Sequence, residues 1–503
     1  MVKNSFSQKQ IALPMIENFP NVPKECPPNW FNMANKVNEF IMDSKNGVLQ
    51  TDENGYKYFT AFLEGKSKEL ITFGCVTLGK ILWGDDVKSL LPTLSDFYSE
   101  LFGLFLNSPK ENRIEYWYLM DVNALTNAII KLKLSDDSLL SEKLRNSTNK
   151  LIELAHTINY DFNNQGYHFD QNNPFTVRDE FRQPDAIAGY AYLMAFAYEF
   201  FKEESYLEEA KKAIEIYQSF DVNPWYEIPS GAMACLAAAH LNSKGFNFDL
   251  FKILNFVFDS ELGSMLAGKW GESEINGIMI GWRGFTREEA TSSAYSMETM
   301  IVLPYVLPVV RYAPEYARTI GKYALHVASN ARLFFSEFLP ADFQSRPDLR
   351  PEIPYEKLCK EYKGYSPFGT GDCEGHKSVY GGGFTLWWGS IINTTNEEYI
   401  PCFNVTKTDF LERDAYPTFL YYNPFDDERS VKLDVGNEVF DVYELTSHQL
   451  LYSQVSGTVD IVLPEDTAKV VAVVPSSGNK SIIDGKLTIN GIVVDYHFNQ
   501  KEE

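Results

Sequence analysis

The spacing of apolar residues along the chain changes near residue 400. Before that point, apolar residues recur at intervals of three and four, as they do on one face of an α-helix. The clearest helical run covers residues 185–201 and follows Pro184, a residue type that suits the start of a helix. Its apolar face consists of Ile187, Tyr190, Ala191, Met194, Tyr198 and Phe201.

Eleven further stretches with the same spacing bring the predicted total to about twelve helices. They cover residues 31–43, 70–82, 87–106, 115–132, 139–158, 205–219, 230–242, 247–258, 287–302, 313–334 and 380–392. The stretches share no sequence repeat of fixed period, which argues against a solenoid of helical repeats.

After residue 400 the apolar residues alternate with polar ones, and turn-forming residues separate short runs at hairpin spacing. These runs predict strands at residues 431–435, 439–445, 458–463, 469–474, 486–489 and 491–498. The pattern predicts a small antiparallel β-sandwich that follows a mainly α-helical region.

We therefore predict an N-terminal extension over residues 1–29, a helical domain over 30–400 and a β-sandwich domain with its junction over 401–503. The mixture of aromatic and charged residues at 408–430 is typical of an interface between the two domains.

This order of elements resembles the (α/α)6-toroid, six-hairpin carbohydrate-active enzymes, many of which carry an added β-domain. The resemblance implies an active-site cleft at one end of a helical ring, lined by the loops that join inner and outer helices.

Charge and apolar content exclude several classes of function. The 503 residues include 45 Lys and Arg against 68 Asp and Glu, for a net charge of −23, and contain no basic cluster suited to nucleic acid. No apolar run approaches the ~20 residues that a membrane helix needs. Six scattered cysteines form neither a zinc pattern nor a disulfide framework. The sequence thus predicts no nucleic-acid partner, no membrane partner, no metal and no cofactor.

The N-terminal residues show no apolar segment followed by a cleavage site. The sequence therefore predicts a cytoplasmic protein, or a secreted one if a leader has been removed.

Three linkers between predicted helices are long and rich in glycine, aromatic and charged residues: 159–183, 263–286 and 341–379. Long loops inside a compact domain are usually functional. We expect these three to converge at one end of the ring, because each carries the aromatic and carboxylate mixture of a polar cleft.

The first linker brings Asp179, Arg182 and Asp185 to the head of a helix. One interpretation is structural, with Asp185 as a first-turn charge and Arg182 as its ion-pair partner. The other is a carboxylate at the rim of a cleft, held ionised by the arginine.

In the second linker, Trp270 and Trp282 flank Glu272, and Arg283 follows. A tryptophan beside a carboxyl removes water from it and raises its pKa, as a general acid requires. Glu272 could equally be a solvated loop residue. On the helix that follows, Glu298 is either a functional carboxyl or a core residue paired with a cation.

The third linker contains Asp372, Glu374 and His376, followed by Tyr380 and the glycines 381–383. The alternating acids and histidine give a weak metal pattern without a known signature. The glycines match no phosphate-loop motif and predict close packing of backbones, with Trp387 and Trp388 as core aromatics.

Paired carboxylates in aromatic loops favour a glycoside hydrolase that acts on a neutral oligo- or polysaccharide. The resemblance implies an inverting mechanism in most such enzymes. The predicted general acid is Glu272 and the predicted general base is Asp185, with Asp179, Glu298 and Asp372 as further candidates. The predicted substrate-binding residues are Arg182, Arg283, Trp270, Trp282, Tyr118, His376 and Tyr380.

Two other functions remain open on the sequence alone. A polysaccharide lyase would use Tyr380, His376 or His168 as its base and Arg182 to neutralise a uronate. A non-catalytic glycan-binding or scaffold protein would keep the aromatic residues without a working pair of carboxyls. The sequence does not indicate an oligomeric state.

Overall fold

The computed structural model describes residues 9–63, 65–283, 291–344, 346, 353–360, 376–412 and 414–498. Thirteen α-helices lie in these ranges, and none of them is long and apolar enough to cross a membrane. They are α1 Pro14–Glu17, α2 Trp30–Met42, α3 Leu70–Trp83, α4 Tyr116–Lys133, α5 Ser138–Thr157, α6 Ala186–Phe201, α7 Glu204–Ser219, α8 Ile228–Asn242, α9 Leu250–Val257, α10 Ser296–Val306, α11 Val309–Tyr312, α12 Ala317–Asn330 and α13 Val379–Ile391.

Six of these helices form a closed inner ring. Helices α3, α4, α6, α8, α10 and α13 each contact the next helix in that order, and α13 contacts α3. Nearly all their side chains are buried, as expected for helices that are apolar on every side. The ring agrees with the helical toroid predicted from the sequence.

The outer layer consists of α2, α5, α7, α9 and α12, and the buried residues of the first four lie on one face, whereas α12 is buried almost throughout. Each of these helices precedes an inner helix in the chain, so outer and inner helices alternate as hairpins except between α3 and α4, which are consecutive inner helices. The predicted helix at 87–106 is wrong. A short 3₁₀ helix, Leu91–Phe97, is followed there by a β-hairpin whose turn contains Gly103 at φ +71°. A positive φ of this kind ends a helix.

Glycines allow α13 to approach α3 closely. A Cβ atom on Gly383 would lie 2.5 Å from Cys75 Sγ and 2.9 Å from the backbone nitrogen of Val76. Trp387 and Trp388 are fully buried, and their indole N–H groups donate to backbone carbonyls of the neighbouring helices α3 and α10. The predicted close packing and core position of these aromatics are confirmed.

The C-terminal strands form a six-stranded sheet and a three-stranded sheet, and every strand pair in the described residues is antiparallel. The strands of the larger sheet lie in the order Ile392–Asn393, Cys402–Asn404, Thr418–Asn423, Thr467–Pro475, Arg429–Glu444 and Gln449–Leu463. One face of this sheet joins the core of the helical region, and a second apolar cluster lies on the other. The predicted two-sheet sandwich is not confirmed. The first three strands of the larger sheet, Ile392–Asn393, Cys402–Asn404 and Thr418–Asn423, were not predicted.

The strands are short in the helical region and long near the C-terminus. They are β1 Leu49–Thr51, β2 Lys57–Phe59, β3 Tyr98–Ser99, β4 Leu104–Phe105, β5 Arg113–Glu115, β6 Gly166–His168, β7 Asn173–Phe175, β8 Lys269–Trp270, β9 Ser273–Glu274, β10 Ser293–Tyr295, β11 Lys357–Cys359, β12 Ile392–Asn393, β13 Cys402–Asn404, β14 Thr418–Asn423, β15 Arg429–Glu444, β16 Gln449–Leu463, β17 Thr467–Pro475, β18 Lys480–Ile483, β19 Lys486–Ile489 and β20 Ile492–Asp495.

The segment after residue 407 binds the sheet region to the helical ring. Asp409 is buried and accepts hydrogen bonds from Arg311 Nη1 at 2.9 Å and from the Tyr312 hydroxyl at 2.5 Å. Lys131, at the end of α4, donates to the backbone oxygens of Phe410 and Leu411. The interface predicted for residues 408–430 is therefore present at its N-terminal end.

A buried ion pair anchors the N-terminal segment to the ring. Glu274 accepts from His326 Nδ1 at 2.5 Å and from the backbone N–H of Lys24 at 2.9 Å, and His326 Nε2 lies 2.7 Å from the backbone oxygen of Pro20. Burial raises the pKa of Glu274, but His326 and the other donors outweigh it and lower that pKa from 4.5 to about 2.

We expect Glu274→Gln to reduce the free energy of unfolding by about 3 kcal/mol at neutral pH, because His326 loses its charged partner. The lowered pKa makes this stabilisation complete above about pH 4.5, and it is lost as pH falls toward 2. Urea unfolding at neutral and acidic pH measures both effects. The exposed Glu261→Gln is the matched control and should change stability by less than about 0.5 kcal/mol. Equal stability of the two variants would contradict the anchoring role.

Candidate active site

A cavity of about 330 Å³ lies where the inner helices begin. The first residues of four inner helices, α3, α4, α10 and α13, face this space, together with residues from the preceding loops. The N-terminal ends of these helices therefore meet at one end of the ring. The lining residues are Glu69, Ile71, Glu115, Trp117, Tyr118, Gln165, Phe181, Tyr226, Glu227, Trp282, Tyr295, Met297, Glu298, Glu356 and Tyr380.

Four inner helices are preceded directly by an acidic residue: Glu69 before α3, Glu115 before α4, Asp185 before α6 and Glu227 before α8. A side chain at this position often accepts a hydrogen bond from its own helix. None of these four does so. Three of the four carboxyls, those of Glu69, Glu115 and Glu227, line the cavity, where the positive ends of the helix dipoles favour negative charge.

The two most deeply placed carboxyls of the lining are Glu227 and Glu298, which are 4% and 7% exposed. The Oε2 atom of each is buried and has no hydrogen-bond partner among the described residues. Burial, followed by the charge of Glu298, raises the pKa of Glu227 well above its ordinary value. Burial also raises the pKa of Glu298 to about 8. Because both pKa values are raised, the two carboxyls hold at least one proton at neutral pH.

Asp121, one helical turn beyond Trp117 on α4, lies outside the cavity lining, and its charge acts on Glu227. It is 1% exposed, and neither carboxyl oxygen has a partner in the described part of the chain. Burial raises the pKa of Asp121 well above its usual range, and the charges of Glu298 and Asp185 add to the effect. Asp121, Glu227 and Glu298 therefore form a group of acids that resist ionisation.

Asp185 lies against the backbone of the loop that precedes α8. Its Oδ2 accepts hydrogen bonds from the backbone N–H groups of Tyr226 at 2.7 Å and Glu227 at 3.2 Å. Burial raises the pKa of Asp185 to about 7, although these bonds and the charge of Arg283 lower it. Because Asp185 holds the backbone that carries Glu227, its contacts are those of a positioning residue.

Two further carboxyls of the lining have side-chain partners. Glu115 accepts amide N–H groups from Gln165 at 2.9 Å and from Gln183 at 2.8 Å. Glu356 accepts the hydroxyl of Tyr380. Burial raises the pKa of Glu356 despite that hydrogen bond.

Aromatic rings complete the wall. Trp117 and Tyr118 lie together with ring centroids 3.7 Å apart. Trp282 contacts Phe181 at 5.5 Å and Tyr226 at 6.4 Å between ring centroids. Flat apolar faces beside carboxyls and amides match a sugar, which presents both C–H faces and hydroxyl groups.

Four residues predicted from the sequence line this cavity: Tyr118, Trp282, Glu298 and Tyr380. Residues from all three long linkers or their ends contribute to it, including Phe181, Trp282 and Tyr380. The described parts of these linkers therefore converge as predicted. Asp372 and Glu374 lie outside the described residues.

Other predicted residues lie outside the lining. Glu272 is exposed in the turn of the β8–β9 hairpin, where its backbone oxygen accepts from Lys24, and this position gives no support to a general-acid role. Neighbouring Trp270 is buried away from the cavity. Arg182 pairs with the exposed Asp179 at 2.9 Å, so the predicted pairing of Arg182 with Asp185 is wrong.

The remaining predicted residues lie at or beyond the rim. Arg283 is exposed, and its charge acts on Asp185. His376 is half-exposed, with Nδ1 3.9 Å from Glu356 Oε2 and its ring beside Phe62. His168 lies on β6, with Nδ1 3.9 Å from Asp170.

The sequence interpretation missed Glu69, Glu115, Glu227 and Glu356, all of which line the cavity. A signal for three of them was present. Each stands directly before a helix that is apolar on every side, as in the run YEIPSGAMACLAAA that contains Glu227. An acid at the start of a fully buried helix lies at the mouth of the ring.

The sequence matches no protein-family model and no curated protein. The chain is similar to a cellobiose 2-epimerase from Bacillus thermoamylovorans, at 9% identity and a TM-score of 0.45 over 71% of this chain and 98% of that one. It is also similar to a family 76 glycoside hydrolase from Bacteroides thetaiotaomicron, at 8% identity and a TM-score of 0.42 over 72% and 78% of the two chains.

A third similar structure is an unsaturated glucuronyl hydrolase from Streptococcus agalactiae, at 12% identity and a TM-score of 0.40 over 76% of this chain and 91% of that one. These similar structures are carbohydrate-active enzymes, the class named by the resemblance. At such identities and TM-scores, the chemistry of this chain has to be argued from its own cavity.

Proposed function

We propose that this chain is a glycoside hydrolase that cleaves an oligo- or polysaccharide in the cavity at the start of the inner helices. The observation that carries the proposal is the pair Glu227 and Glu298. Both carboxyls are buried in a cavity that aromatic rings surround, and the Oε2 atom of each has no hydrogen-bond partner among the described residues. The charge of Glu298 also raises the pKa of Glu227. Glycoside hydrolysis requires two carboxyls with different protonation states across one bond.

In this proposal Glu227 is the general acid, because the pKa of its carboxyl is raised well above the usual range. It donates its proton to the glycosidic oxygen as the bond from that oxygen to the anomeric carbon breaks, and the leaving oxygen keeps the bonding electrons. Glu298 in its ionised form takes a proton from water, whose oxygen forms the new bond to the anomeric carbon. Direct attack by water inverts the anomeric configuration.

A lyase is less well supported by this site. The described lining includes five carboxyls and no Lys or Arg, so it would repel the uronate that a lyase needs. Tyr380, the candidate lyase base, donates its hydroxyl to Glu356, and burial raises the pKa of Tyr380 well above its usual range. Both features oppose formation of the phenolate.

Incubation with a panel of neutral, amino and acidic glycans in heavy-oxygen water tests the proposal. Mass spectrometry of the products should show a hydrolysed glycan with one heavy oxygen at the new reducing end. An unsaturated product would indicate a lyase, and an isomer of unchanged mass would indicate an epimerase. Either product, or an unchanged panel, would contradict the proposal.

The proposed base predicts how activity depends on pH. Because the pKa of Glu298 is raised to about 8, most of the base is protonated at neutral pH, and kcat/KM should rise with pH until about 8. The charge of Glu356 contributes to that raised pKa. Glu356→Gln should therefore move the acidic limb of the profile to lower pH, by up to about one unit.

The exposed Glu215→Gln on α7 is the matched control and should leave the profile in place. A limb that stays fixed in Glu356→Gln while activity persists would show that Glu298 is not the titrating base.

A further inference from the structure

The cavity contains more acid than hydrolysis requires. Two carboxyls suffice for the chemistry, yet the described lining also includes Glu69, Glu115 and Glu356. After burial, the groups that raise the pKa of Glu227 are all carboxyls: Glu298, Asp121, Asp185 and Glu115.

Within the described residues, the protein supplies little positive charge to balance this group. Glu227 and Glu298 are more than nine-tenths buried and line the cavity, and each has a carboxyl oxygen without a partner there. The cationic side chains whose charges reach these carboxyls lie outside the cavity lining. Arg283 acts on Asp185, and Lys357 and His376 act on Glu356. Acids that are buried without a counter-charge favour a ligand that brings one.

We propose that the sugar unit bound in this cavity carries a protonated amine, so that the substrate is a glycan containing a free amino sugar. This inference rests on the proposed function and specifies its substrate class. The ammonium group would bind carboxylates that the bond cleavage does not use, of which Glu69 is half-buried and lines the cavity. A neutral hexose or an N-acetylated sugar brings no charge, and a uronate brings the wrong one.

The same charge would assist the chemistry. A cation in the cavity favours the ionised form of Glu298, which is the form that the base must take. An amino-sugar substrate would thereby supply the positive charge that the described lining lacks.

Binding of matched monosaccharides tests this inference on the full chain. The probes are glucosamine, galactosamine and mannosamine, each compared with its parent hexose and its N-acetyl form by calorimetry at slightly acidic pH and low salt. We expect at least one amino sugar to bind about tenfold or more tightly than both of its counterparts, and added salt should reduce that preference. Glu69→Gln should reduce the preference, and the exposed Glu215→Gln should retain it.

Equal binding of an amino sugar and its parent hexose, in a protein that cleaves a neutral glycan, would overturn the substrate class and leave the proposed hydrolase in place. Preference for the N-acetyl form would also overturn it, because size rather than charge would then be recognised. If no sugar binds and no glycan is cleaved, the proposed function fails as well.

Discussion

Glu227→Gln is expected to abolish hydrolysis of the glycan that the wild-type chain cleaves, with a loss in kcat of at least about a hundredfold. The amide keeps the size of the side chain and a hydrogen-bond acceptor, but it has no acidic proton for the leaving oxygen. Because proton transfer belongs to the transition state, kcat and kcat/KM should fall together while KM changes little.

The same substitution should not destabilise the fold. Burial raises the pKa of Glu227 well above 4.5, so above that pH the folded state binds more protons at this group than the unfolded state does. The contribution of Glu227 to stability therefore falls as pH rises, and a neutral amide removes that penalty. Melting temperature at neutral and alkaline pH should be unchanged or higher than in the wild type. Retained activity with unchanged stability would remove Glu227 from the mechanism.

Glu298→Gln is expected to cause a comparable loss of activity for a different reason, because the attacking water loses its base. The two variants can be separated with a substrate whose leaving group is a weakly basic phenol. Such a group departs without a proton, so Glu227→Gln should regain much of its activity on it and Glu298→Gln should remain inactive.

Glu272→Gln serves as the comparison for both variants, since Glu272 is exposed on a hairpin outside the cavity. It should retain wild-type rates on both substrates. The opposite pattern, with Glu298→Gln restored by the better leaving group, would exchange the roles of acid and base. Loss of activity in Glu272→Gln would instead identify Glu272, on the β8–β9 hairpin, as the general acid.

Most helices could be predicted because their apolar residues recur at intervals of three and four, and the closed ring was expected from the resemblance to six-hairpin enzymes. Alternation of apolar residues likewise predicted the C-terminal strands. The hairpin at Tyr98–Phe105 was missed because its apolar residues also fit a helical spacing, and only the backbone of Gly103 shows the turn.

The cavity could be predicted in part. Tyr118, Trp282, Glu298 and Tyr380 were selected correctly as lining residues, because aromatic and acidic residues beside inner helices tend to reach the mouth of the ring. Glu227, the proposed general acid, could not be predicted, because sequence shows which residues are acidic but not which are buried. Glu272 lies among glycines and tryptophans yet is exposed, whereas Glu227 lies in a short linker and is buried.

The most direct test of the account is the crystal structure of Glu227→Gln soaked with the glycan that the wild-type chain cleaves. The account predicts that the scissile bond lies in the cavity, with residue 227 beside the glycosidic oxygen, Glu298 on the side of the attacking water, and Tyr118 or Trp282 against a sugar face. A glycan bound along the Glu272 hairpin, with the cavity free of sugar, would contradict the assignment of this cavity as the active site.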